Sequence, residues 1–123
     1  MKKLFEDSGQ FVGGVLVVTG KHCTYYGCVQ TITQEGANLL VTFSFLAEEI
    51  SSKHWRRARS DGYTMTLEKV SINHIMHPSG APTFTTDIGE TATFHPPGHK
   101  NIPNEWATFH KSELAHEKEH ATS

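Results

Sequence analysis

The stretch that decides the fold runs from Cys23 to Leu46 and reads CTYYGCVQTITQEGANLLVTFSFL. Its first part, Cys23 to Thr33, is rich in the aromatic and β-branched residues that favour strands. Gly27 inside this part predicts a bend, and Gln34-Glu35-Gly36 is typical of a turn. The rest of the stretch alternates between apolar and polar residues, as a strand does. The sequence therefore predicts two consecutive strands, of which the first is long and bent.

The alternation in the second strand predicts which side chains share a face. The residues expected on one face are Leu39, Val41, Phe43 and Phe45. On the N-terminal side, Val15 to Val18 is a short apolar run that ends at the turn pair Thr19-Gly20, so it predicts a buried strand.

The C-terminal side begins with a break in the pattern. Ala47 to Gly62 is strongly charged and predicts a loop. Further strands are predicted beyond it, at Tyr63 to Leu67, Val70 to His74, Phe84 to Thr86 and Thr91 to Phe94. The last two form a hairpin around Asp87-Ile88-Gly89.

Three parts of this region together resemble the first motif of Sm-like proteins. They are Gly14 to Gly20, Tyr25-x-Gly27-x-Val29 and Asn38-Leu39-x-Val41. The resemblance implies a small SH3-like β-barrel that forms a ring by pairing edge strands of neighbouring copies, and it implies binding of RNA. Gln34 stands where the family usually has aspartate, and Gly36 stands where many members carry the residue that stacks on a base.

A helix is expected at the end of the chain. Asn104 to His120 favours one, with Asn104 as N-cap, and the polar residues beyond Ser112 predict fraying into a tail. The predicted fold is mainly β: a small five-stranded SH3/Sm-like barrel with an extra C-terminal hairpin and a short C-terminal helix. A single domain is expected over residues 1–123, with a barrel core at about 11–77, an extension at 78–110 and a polar tail at 111–123.

The net charge, the length of the apolar runs and the few cysteines exclude several classes of protein. A net charge of −2 excludes a globally basic nucleic-acid binder, so any anion site must be local. The longest apolar run, Val15 to Val18, is too short for a membrane span, and the charged first residues lack the pattern of a secretory signal. Cys23 and Cys28 on one strand would lie about 16 Å apart, beyond disulfide reach. Free thiols in a reducing cytoplasm are therefore expected.

The most informative segment for function is Lys53 to Arg59, KHWRRAR, which contains every arginine of the chain. Guanidinium groups bind phosphates and an indole can stack on a base. We therefore predict a non-enzymatic, homo-oligomeric binding module for RNA, single-stranded nucleic acid or a small nucleotide. The predicted contact residues are Lys53, Trp55, Arg56, Arg57 and Arg59, with Asn38 and Tyr26 in a secondary role. A competing interpretation pairs the arginines with Glu48, Glu49 and Asp61 and anchors the loop to the core through Trp55.

Two alternative functions remain open. The first is a structural or protein-interaction subunit that uses strand pairing and the helix around Trp106 and Phe109. The second is a small enzyme whose metal is bound by histidines, which number nine. The histidine pairs are His74 and His77, His95 and His99, and His116 and His120. None of these pairs lies in a recognised metal-binding motif, and the sequence contains no recognised catalytic motif. We therefore assign no catalytic residue, no metal and no other cofactor.

Overall fold

The structure is a computed structural model that describes residues 8–59, 63–72, 83–95, 97 and 102–121. A short 3₁₀ helix at Ser8–Phe11 precedes the strands. The strands are β1 Val15–Thr19, β2 Thr24–Glu35, β3 Asn38–Ser51, β4 His54–Arg59, β5 Tyr63–Leu67, β6 Ser71–Ile72, β7 Thr83–Thr85 and β8 Thr91–His95. One helix, α1 Asn104–Ala121, follows them.

The strands form one antiparallel sheet in the order β4-β3-β2-β1-β8-β7-β6. The long strand β3 pairs along one edge with both β5 and β4, β5 beside its first half and β4 beside its second half. The mainly β class is confirmed, but the count of five strands is too low. The pairings of the described strands form an open sheet, and β7 and β8 belong to that sheet because β8 pairs with β1.

The charged segment from Ala47 to Gly62 was predicted as a loop, and that prediction is wrong. Residues up to Ser51 continue β3, and His54–Arg59 form β4. The segment alternates as a strand does, since Trp55 is buried between the exposed His54 and Arg56. Charged residues are common on edge strands, where they discourage aggregation, so the polar composition concealed the strand.

Two irregularities between β2 and β3 divide the apolar side chains between the two faces of the sheet. The register passes from Cys28 opposite Phe45 to Val29 opposite Phe43, which leaves Ser44 as an extra residue in β3. A second shift leaves Gln30 extra in β2. The prediction that Phe43 and Phe45 share a face is therefore wrong, because the bulge turns Phe45 to the other side.

The two faces carry separate clusters. We call the first the inner core, which contains Phe11, Leu16, Val18, Val29, Leu39, Val41, Phe43, Leu46, Leu67, Val70, Phe84, Ala92 and Phe94. We call the second the aromatic cluster, which contains Tyr26, Phe45, Ala47, Trp55 and Trp106, with Phe109 packed against it. Tyr25 packs against the inner core, so the adjacent residues Tyr25 and Tyr26 send one ring to each face of the sheet.

Helix α1 covers the aromatic cluster. It begins at Asn104, as predicted, but it continues to Ala121 instead of fraying after Ser112. Trp106 is 3% exposed, whereas Leu114 is 44% exposed. The apolar attachment of the helix therefore lies in its first two turns. Within the described part of the chain, no helix has the length and apolar character that a membrane crossing requires.

Candidate functional site: the arginine strand and its flanking helix

The arginine segment is positioned by the β3–β4 hairpin. Lys53 lies in the turn with a φ of 62°, in the left-handed region. Along the hairpin, Glu49 lies opposite Trp55, Glu48 opposite Arg56 and Ala47 opposite Arg57. Because successive side chains of a strand point to opposite faces, Trp55 and Arg57 face the aromatic cluster while Arg56 faces the other side.

Trp55 anchors the segment to the aromatic cluster. Its side chain is 7% exposed. Its ring centroid lies 5.3 Å from that of Tyr26, 5.5 Å from that of Trp106 and 6.0 Å from that of Phe109. This packing agrees with the anchoring interpretation, and it leaves little of the indole accessible to a base.

The basic side chains of the segment have different surroundings. Arg57 is half-buried, and its guanidinium carbon lies 4.8 Å from the centroid of the Phe45 ring, a cation–π contact. Arg56 is exposed and pairs with Glu48 at 3.4 Å, as the competing interpretation predicted for the arginines. Lys53 pairs with Glu105 of α1 at 3.8 Å. Exposed ion pairs of this kind contribute little stability, so Arg56 and Lys53 can leave these carboxylates and bind another anion.

The other predicted contact residues do not converge on this site. Asn38 begins β3, at the end far from Glu48, and its Oδ1 accepts a hydrogen bond from the backbone N–H of Lys69 at 3.0 Å. Tyr26 is 8% exposed and packed within the aromatic cluster. Arg59 ends β4 opposite Leu46, and its side chain lies outside the described residues, as does Asp61.

The histidines form no metal site among the residues that the structure describes, where no group of three potential ligands occurs. His95 is 4% exposed on β8. His74, His77 and His99 lie outside the described residues. His116 is exposed on α1, and the side chain of His120 is not among those described.

A contact between Cys28 and His110 was not predicted. Cys28 Sγ lies 3.5 Å from Nε2 of His110, which is 82 residues away in the chain. Burial raises the pKa of the Cys28 thiol to about 11. Burial, and then the nearby charge of Arg57, lowers the pKa of His110. Both shifts favour the neutral forms, so the pair lacks the thiolate and imidazolium that nucleophilic catalysis requires. No local motif could reveal a pair so distant in sequence.

We expect the two cysteines, both free thiols, to differ strongly in reactivity. A thiol with a pKa of about 11 is ionised to about one part in a thousand at pH 8, and Cys28 is also half-buried, whereas Cys23 is exposed. Maleimide labelling followed by mass spectrometry should modify Cys23→Ser slowly and Cys28→Ser rapidly. Between pH 8 and 10 the rate for Cys23→Ser should rise about tenfold per pH unit. Equal rates for the two variants would contradict the buried position of Cys28.

A cleft lies beside the arginine strand, between the beginning of β4 and α1. It has a volume of about 570 Å³. Its lining residues are Lys53, His54 and Trp55 of the hairpin and Asn104, Glu105, Thr108, Phe109 and Ser112 of the helix. The cleft thus combines aromatic side chains with polar groups, including the Lys53–Glu105 ion pair. Its lining residues come from two distant parts of the sequence. Sequence patterns could not predict that the helix residues lie beside β4, because that position depends on the packing of Trp106.

Comparisons with known proteins found no match for this chain among protein-family models, curated proteins or solved structures. The interpretation of the site therefore depends on its own residues and geometry.

Proposed function

We propose that the protein is a non-enzymatic interaction module whose strand β4 binds an acidic, extended polypeptide segment as an additional strand. The observation that carries this proposal is the position of the cationic segment at the edge of the sheet. Among the described residues β4 pairs only with β3. An extended peptide can pair with the second edge of such a strand by β-augmentation.

The charge of β4 favours an acidic partner. His54–Arg59 and the preceding Lys53 contain four lysine or arginine residues and no acid. A strand added beside β4 would place its side chains directly opposite those of β4, whereas the acids of β3 lie one strand further away. Opposite charges in cross-strand pairs are favourable. Arg56 is the best placed, because its side chain is 70% exposed.

The same charges disfavour a second copy of β4 as the partner. Antiparallel pairing of two β4 strands about their centres would place Arg56 opposite Arg56 or Arg57 opposite Arg57. Like charges in such pairs are destabilising. The homo-oligomer expected from the sequence would therefore have to form through other surfaces, and β4 stays available for a different chain.

The test is a binding titration with a labelled peptide of about ten residues that alternates glutamate and threonine, a length near the upper range for strands. We expect Arg56→Glu to weaken binding at least about tenfold, because it places like charges together. Fluorescence anisotropy would measure the affinity at several salt concentrations, and binding should weaken as salt screens the charges.

The matched control is Lys69→Glu, which changes the net charge equally but lies beside Asn38, at the other end of β3. This variant should bind the peptide as the unmodified protein does. Equal losses of affinity for the two variants would show that the effect depends on net charge alone. That result would overturn the assignment of the binding surface to β4. A peptide that alternates lysine and threonine should not bind. Binding of this peptide would also overturn the assignment to β4.

A second candidate function is the binding of RNA, single-stranded DNA or a nucleotide through the same cations. The exposed side chains of Lys53 and Arg56, at 61% and 70%, favour it because both can reach phosphates. A single-stranded oligonucleotide titrated in parallel separates the candidates. Binding of the oligonucleotide but not of the acidic peptide, with a steep loss as salt rises, would replace the first proposal with the second.

A further inference from the structure

We propose that the cleft between α1 and the beginning of β4 is a specificity pocket that receives one large apolar side chain of the added strand. This inference rests on the proposed function, because it assumes that a strand pairs with β4. It adds a sequence preference: the segment bound should carry an apolar residue between acidic ones.

The cleft lies between α1 and the beginning of β4, which is an edge strand among the described strands. Trp106 attaches the helix to three neighbouring strands, since its ring contacts Tyr26 of β2, Phe45 of β3 and Trp55 of β4. One flank of the helix faces the cleft with residues Asn104, Thr108 and Ser112, which are spaced by four and lie one above the other. Because β4 is the last of the described strands on this side, a strand added to it would lie beside that flank.

The register of an antiparallel pair determines which side chain enters the cleft. A residue directly opposite Trp55 has its side chain on the same face as Trp55, which is the face that α1 covers. Its two chain neighbours lie opposite His54 and Arg56 and point to the other face. The cleft therefore selects the residue opposite Trp55, while Arg56 selects an acid beside it.

The cleft has aromatic walls and enough volume for a large apolar side chain. Trp55 and Phe109 supply aromatic surface, and about 570 Å³ is within the range of small-molecule pockets. Among the lining residues, Lys53 and Glu105 lie 3.8 Å apart with side chains 61% and 48% exposed. Such an exposed pair opens at little cost, so it does not prevent entry.

The experiment compares two peptides of alternating glutamate and threonine, one with a central phenylalanine and one with a central alanine in place of the same threonine. We expect the phenylalanine peptide to bind about tenfold more tightly, as burial of an aromatic side chain predicts. Thr108→Trp should fill the cleft and reduce the affinity of the phenylalanine peptide to that of the alanine peptide. Lys111→Trp, on an exposed helix position that does not line the cleft, should leave both affinities unchanged.

The outcomes separate the two proposals. If both peptides bind equally but Arg56→Glu still weakens them, the pocket is wrong and the role of β4 stands. If neither peptide binds the unmodified protein, the proposed function fails and the pocket fails with it. If Thr108→Trp and Lys111→Trp have the same effect on the phenylalanine peptide, the side chain binds elsewhere. Circular dichroism of each variant would establish that the helix and the sheet are retained.

Discussion

Replacement of Trp106 by alanine is expected to lower the free energy of unfolding by about 3–5 kcal/mol. Trp106 is 3% exposed, and its ring lies within 6 Å of several others. The distances between centroids are 5.2 Å to Tyr26, 5.5 Å to Trp55, 5.8 Å to Phe45 and 5.8 Å to His110, on which it stacks. Truncation would remove the central ring of the aromatic cluster and leave a cavity between α1 and the sheet.

Urea unfolding followed by circular dichroism would measure this change. The control is Leu114→Ala in the same helix, at a position that is 44% exposed. Surface substitutions of this kind usually change stability by no more than about 0.5 kcal/mol. Similar small losses for the two variants would contradict the docking of α1 on the sheet, and the cleft beside β4 would then have no wall.

Replacement of Gly27 by alanine is expected to lower the free energy of unfolding by about 1–3 kcal/mol or more. A Cβ atom at Gly27 would lie 2.4 Å from both Cδ1 and Cε1 of Phe43. Atoms cannot approach so closely, so either the ring or the strand must move. Phe43 is fully buried in the inner core, and a close-packed interior does not offer the ring another position.

The matched control is Gly20→Ala. Its Cβ atom would lie 3.5 Å from the carbonyl oxygen of Cys23, an ordinary contact, and this change should have a much smaller effect. In the double variant Gly27→Ala with Phe43→Leu, we expect the two losses to be less than additive, because the smaller side chain relieves the contact. Strict additivity, measured by the same urea unfolding, would show that Phe43 is not the residue that requires glycine at position 27.

The strands that alternate clearly could be predicted from the sequence, whereas the bulges between them could not. The pattern of Leu39, Val41, Phe43 and Phe45 is compatible with one uninterrupted face. Only the pairing with β2 shows that Ser44 is an extra residue and that Phe45 changes sides. The irregularity follows Cys28, and the close approach of the Phe43 ring is a separate reason for glycine at position 27.

The sequence was sufficient to choose the segment that forms the candidate site, but it was not sufficient to predict the structure of that segment. The concentration of arginines identified the segment, because composition is visible without a fold. Its structure as a strand was concealed, since an edge strand tolerates charges that usually indicate a loop. The burial of Trp55 depends on Trp106 and Phe109, which are distant in the chain, and local patterns carry no information about such contacts.

The division of β3 between two clusters has a consequence for how the protein folds. Before Ser44 the strand supplies Val41 and Phe43 to the inner core. After it the strand supplies Phe45 and Ala47 to the aromatic cluster, while Leu46 between them still faces the inner core. Neither cluster can lose its packing without releasing residues of the same strand. The two faces of the sheet therefore form one cooperative unit, and partial melting of either face alone is disfavoured. The docking of a C-terminal helix is thereby linked to the strand pairing formed much earlier in the chain.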